Sequence, residues 1–124
     1  VNNLPYHINL LHLLLQTLFH LDLIPNPNIL RDSVAQKRKG QVVVGFALET
    51  EKPELHAKEK LEKSGADLLV LNMPVAKESG FGKDNVAFSL VEKGGAVPEL
   101  QMASKRDLAL GILRFTLLEL EKTK

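Results

Sequence analysis

Apolar residues recur along this chain at two different periods, and the change of period marks its elements. Gln41 to Ala47 carries the consecutive Val42, Val43 and Val44 and reads as a buried strand. After the polar run Glu49, Thr50 and Glu51, Pro53 can open a helix that continues through Lys63. Glu54 with Lys58, and Glu59 with Lys63, stand at the helical spacing that favours ion pairs, and Gly65 is its stop signal. Asp67 to Leu71 is again a short apolar run, suited to a parallel strand fed by the preceding helix. The stretch therefore predicts a strand, helix, strand unit.

The flanks are read in the same way. Leu10 to Leu23 fits an amphipathic helix through Leu11, Leu14, Leu18 and Leu21, or a strand near its end. Pro25 and Pro27 bracket Asn26, so Ile24 to Asn28 is expected to be an ordered loop leading into a helix from Ile29 to about Lys37, with Asn28 as N-cap. Asn72 to Asn85 reads as a loop, Val86 to Val91 as a strand ending at the Gly94–Gly95 turn, and Val97 to Met102 as a short edge strand. Ser104 and Asp107 form a capping-box pattern for a last helix to about Glu121. Leu108, Ile112, Phe115 and Leu118 are expected on its buried face, with Glu119 facing away.

Composition narrows the function classes. The chain has 124 residues, enough for one small core and too few for a two-domain enzyme. It contains no Cys, which excludes disulfides, thiolate metal sites and a cysteine nucleophile. Lys and Arg number 16 against 15 acidic residues, so no global positive field argues for nucleic acid and any anion site must be local. The leucine-rich Ile8 to Ile24 is interrupted by Asn9, His12, Gln16, His20 and Asp22, so it is not read as a membrane span. It also lacks a secretory signal pattern, and a cytoplasmic location is expected.

Neither a three-glycine dinucleotide loop nor a phosphate-binding P-loop follows the valine strand. Gly45, Phe46, Ala47, Leu48, Glu49 and Thr50 follow it instead, at the carboxyl edge where open α/β sheets place ligands. Phe46 there either stacks on a base or fills the core. Lys60, with His56 one turn before it, can present a mobile cation at the same edge or simply face water. The Asn26, Pro27, Asn28 and Ile29 loop can offer amides to a ribose or phosphate, or serve only as a stiffened cap. Asn72 is read mainly as fixing the loop after it, and Ser79 to Gly82 as a plain turn. His7, His12 and His20 lack metal-ligand spacing, so no metal site is expected, and Lys37 to Lys39 reads as a solvated face.

Several separated strings converge on one family. Asn26 to Leu30, VVVGFALETE, AKEKLEKSGADLLVLN, Gly80 to Gly82 and Ser104 to Arg106 together resemble phosphopantothenate-cysteine ligase, in order, across about residues 21 to 120. The resemblance implies an α/β, Rossmann-like three-layer sheet fragment with mainly parallel central strands and an antiparallel C-terminal portion. It also implies a partial nucleotide-binding domain over residues 21–124 behind an atypical leucine-rich segment, residues 1–20. It further implies CTP held by Asn26, Pro27, Asn28, Ile29, Phe46 and Lys60, with Lys60 stabilising transfer and Mg²⁺ accompanying the nucleotide.

In the complete enzyme, 4′-phosphopantothenate and cysteine are the substrates and a homodimer is expected. FMN belongs only to a decarboxylase part that some relatives carry in fusion. The pattern departs at three places: Asn28 stands where relatives carry Asp, Ser64 where a second helix lysine falls, and Val86 where an amide is expected after Asp84 and Asn85. The family's earlier glycine-rich substrate region and catalytic Asn are not recognisable. The isolated fragment is therefore expected to be inactive, and a noncatalytic nucleotide-binding or dimerisation module is the alternative.

Overall fold

The computed structural model describes residues 22–74 and 82–124. In chain order these form α1 (Ile29–Ala35), β1 (Val44–Leu48), α2 (Pro53–Ser64), β2 (Leu68–Met73), β3 (Asn85–Glu92), β4 (Gln101–Ser104) and α3 (Lys105–Lys122). The four strands make one sheet in the order β1-β2-β3-β4. β1 and β2 run parallel, with Phe46 opposite Val70 and Leu48 opposite Asn72, whereas β2–β3 and β3–β4 are antiparallel. The mixed α/β class and the antiparallel C-terminal portion agree with expectation. Among the described residues, parallel pairing is confined to β1 and β2, which the crossover through α2 joins.

Strand alternation sorts the core into two faces. Ala47, Leu69, Leu71 and Val91 lie on one face under Ala57 and Leu61 of α2, with Leu30 and Val34 of α1 packed alongside. Leu68 and Val70 face the other way and are fully buried. On that side Gly111 of α3 comes so close to the sheet that a Cβ would lie 3.1 Å from a Leu90 methyl. The result is three layers, with α1 and α2 above the sheet and α3 below it. On α3 the inward stripe is rotated from the expected one. Phe115 is buried, but Leu118 is 54% exposed and Glu119 is half-buried and paired with Lys122. Leu110, Leu113 and Leu117 share that exposure and line a groove of about 770 Å³ with Arg114 and Asp107.

Local chemistry sets the boundaries. Asn28 has extended backbone and its Oδ1 accepts from Arg31 N at 3.1 Å, so α1 starts at the expected cap, yet it ends at Ala35 rather than near Lys37. Val42 and Val43 lie outside β1. The Asp67 carboxylate accepts from Val43 N at 2.8 Å and also receives Lys37 Nζ at 2.7 Å, clamping this entry to the turn before β2. Lys37, Arg38 and Lys39 are all exposed, as the solvated-face reading expects, and Lys37 additionally serves as a structural tie. β4 begins only at Gln101, and the Pro98 carbonyl accepts from the Ser89 hydroxyl at 2.8 Å. The capping box is present in full: Ser104 accepts from Asp107 N, and Asp107 accepts from Ser104 N.

Candidate ligand edge at the carboxyl end of the parallel pair

The alternation of β1 continues one residue past its end at Leu48. Gly45 and Ala47 point toward α2, and Glu49 continues that side, its N–H donating to the Asn72 carbonyl at 3.1 Å. The Glu49 side chain is only 10% exposed, and it is met from above by two groups of α2. His56 Nδ1 lies 3.2 Å from Oε2, and Lys60 Nζ donates to Oε1 in a short contact. His56 and Lys60 stand one helical turn apart, which places both over the same carboxylate. Lys60 donates the dominant hydrogen bond that holds the Glu49 carboxyl below its ordinary value of 4.5; burial opposes it, and the charge of Lys60 and the contacts of His56 assist it. The carboxylate is closed off, while the Lys60 side chain remains 53% exposed.

Glu49 carries no site signal of its own in the sequence because it begins a polar, turn-like run. Two signals could have found it: the alternation Gly45, Ala47, Glu49, and the spacing that sets His56 and Lys60 on one helix face.

The other expected site residues are distributed as follows. Leu30 reaches Gly45 so closely that a Cβ there would lie 2.7 Å from its methyl, so α1 and the loop before it enter beside β1 on the α2 side. Asn26, Pro27, Asn28 and Ile29 are all exposed, and the Asn28 side chain is engaged as a cap. Phe46 is 67% exposed, so it does not fill the core, and it points to the opposite face of β1 with Val70. The structure thus brings Lys60 together with Glu49 and His56 but does not gather Phe46 onto the same face. A ligand touching both must cross the carboxyl end of β1.

Ser64 is buried, its hydroxyl donating to Leu61 O and accepting from Ala66 N, so it supplies no second cation. Lys63 pairs with Glu59 at 3.6 Å. Asn72 lies within β2 and is half-buried. Asp84 receives Lys105 N on its carbonyl, and Val86 is buried. Residues 75–81, including Ser79, Gly80 and Phe81, lie outside the described residues, as do His7, His12 and His20. Among the described residues no cluster of three His, Asp or Glu could hold a metal ion, and no helix is long and apolar enough to cross a membrane.

The three-layer mixed sheet, with a charged cluster at the carboxyl end of its parallel pair, defines a small α/β domain. Residues 15–118 match the family described as DNA/pantothenate metabolism flavoprotein C-terminal domain, and the chain belongs to that family. It is 37% identical over 94 residues to the coenzyme A biosynthesis bifunctional protein CoaBC of Bacillus subtilis, covering 76% of this chain and 23% of that protein. It is 30% identical over 94 residues to a cysteine/cysteine sulfinic acid decarboxylase from an unknown prokaryotic organism, covering 76% of this chain and 26% of that one. The crystal structure of the C-terminal domain of a CoaBC superposes with a TM-score of 0.63 at 32% identity, over 78% of this chain and 46% of that domain. The chain thus spans about a quarter of the length of the curated relatives it matches.

Proposed function

We propose that this chain is the nucleotide-recognising part of a phosphopantothenate-cysteine ligase acting in coenzyme A biosynthesis. The observation that carries the reading is Lys60, a half-exposed ammonium anchored on α2 over the carboxyl end of the parallel pair. Its family membership and its likeness to CoaBC proteins support the assignment of the reaction.

In the complete enzyme, the carboxylate of 4′-phosphopantothenate attacks the α-phosphorus of CTP and pyrophosphate leaves, giving an acyl-cytidylate. The amine of cysteine then attacks the acyl carbon, CMP leaves and the amide forms. This chain's part is to hold the nucleotide. Lys60 lies against the triphosphate, where a positive charge offsets the negative charge that shifts to the leaving pyrophosphate. The base reaches across the end of β1 toward Phe46, and the Asn26 to Ile29 loop borders the ribose. Mg²⁺ would accompany the triphosphate as its counter-ion, offsetting charge on the phosphate oxygens.

Calorimetry of Mg-CTP with this chain and with Lys60→Ala tests the reading. A charge-assisted contact of about 1.5–3 kcal/mol predicts that the variant binds roughly 10- to 100-fold more weakly. Equal binding removes Lys60 from the site, and no binding by either protein removes the nucleotide role. A parallel titration with ATP reads the base preference.

Self-association belongs to the same proposal, with the exposed Leu110, Leu113 and Leu117 of α3 as its surface. Sedimentation equilibrium is expected to give a dimer that Leu113→Glu converts to monomer. A wild-type chain that is monomeric at every concentration takes this surface out of the account.

A further inference from the structure

We infer that Glu49 is an internal counter-anion for Lys60, a positioning residue that holds the ammonium at the sheet edge and competes with an incoming polyphosphate for it. The inference rests on the nucleotide reading only for the location of the site.

Three features of the cluster carry it. First, Glu49 is fixed from below: its N–H is bound to the Asn72 carbonyl, which ties the backbone carrying the carboxylate to the end of β2. Second, both its oxygens are engaged by α2, one by His56 and one by Lys60, and the side chain is nearly closed to solvent. Third, the partner is asymmetric. Lys60 is half-exposed and carries three N–H donors, so an anion can approach from the open side while Glu49 occupies the closed one.

A single positive charge beside a single negative one presents little net field to a polyphosphate. Removing the negative charge leaves the cation in place and unopposed. Glu49 therefore lowers the anion affinity of this edge in exchange for holding Lys60 in one orientation. Loosely bound monoanions are discriminated against, because only a multiply charged group gains enough from Lys60 to offset the repulsion of the Glu49 carboxylate beside it.

The test uses inorganic tripolyphosphate as the probe on the whole chain, with wild type, Glu49→Gln, Lys60→Ala and the double variant. Glu49→Gln is isosteric and is expected to bind tripolyphosphate about 5- to 10-fold more tightly than wild type, an effect of the size expected for one nearby charge at the protein surface. The gain is expected to vanish when Lys60 is also Ala. Glu49→Asp, which keeps the charge but withdraws it by one methylene, is expected to fall between wild type and Glu49→Gln, and it serves as the second variant if Glu49→Gln does not fold.

Unchanged or weaker binding by these variants overturns the inference, as does a gain that persists without Lys60. Binding of tripolyphosphate in this pattern without any binding of CTP supports the counter-anion and overturns only the nucleotide reading.

Discussion

Leu71→Ala is expected to remove about 2–5 kcal/mol of unfolding free energy, the largest single loss anticipated for this chain. Leu71 is fully buried in β2, in the cluster that joins α2 to β1, β2 and β3. Neighbouring Ala47 and Ala57 are already small, so few side chains can collapse into the space that the substitution leaves. A domain of this size has only about 5–15 kcal/mol in total, so the loss is a large share. Urea denaturation reads it as a lower midpoint at unchanged slope. A loss under about 1 kcal/mol contradicts the central position given to Leu71. The site is linked to the same residue. Asn72, next along β2, accepts the Glu49 N–H, so slackening β2 also loosens the carboxylate beneath Lys60.

Gly45→Val is expected to cost about 1–3 kcal/mol by the opposite route, overfilling instead of emptying. A Cβ at Gly45 would stand 2.7 Å from one Leu30 methyl and 3.0 Å from a Leu69 methyl. Both contacts are ends of flexible side chains, so Ala is tolerated better than Val. The second branch of Val has nowhere to go except against α1 or the core. Leu30→Ala is expected to restore part of the loss in the Gly45→Val background, although alone it destabilises. Such non-additivity is the signature of direct contact. If Gly45→Val unfolds at the wild-type midpoint, α1 does not rest on β1, and the Asn26 to Ile29 loop is not held at this edge.

The order of elements was legible in the sequence because each carries its own periodicity and punctuation: the valine run, Pro53, Gly65, and the Ser104 and Asp107 cap. The boundaries were less so. Val42 and Val43 look like strand interior, but the backbone of Val43 is taken by the Asp67 turn, a contact made 24 residues away that no local pattern encodes. Lys37 faces solvent as expected, but its pairing with Asp67 is invisible for the same reason, since the two are distant in sequence. Leu118 and Glu119 exchanged places because α3 is amphipathic only weakly, with leucines around much of its circumference, so packing against Leu90 decided its rotation.

Within the candidate site, Lys60 could be singled out as a cation, but its anchor could not be read by treating Glu49 as a loop residue. Phe46 presented the reverse case. An aromatic residue in a buried-looking strand favours the core, yet β1 ends the described sheet and α3 does not cover it, which leaves Phe46 open.

The central claim is that a nucleotide binds at the carboxyl end of β1 beneath α2. Chemical-shift mapping of the ¹⁵N-labelled chain during titration with Mg-CTP tests it most directly. The account predicts that the largest amide shifts fall on Phe46 to Thr50 and His56 to Lys60, with smaller ones at Asn26 to Ile29. Shifts concentrated on α3, or a spectrum unchanged at saturating nucleotide, would contradict it.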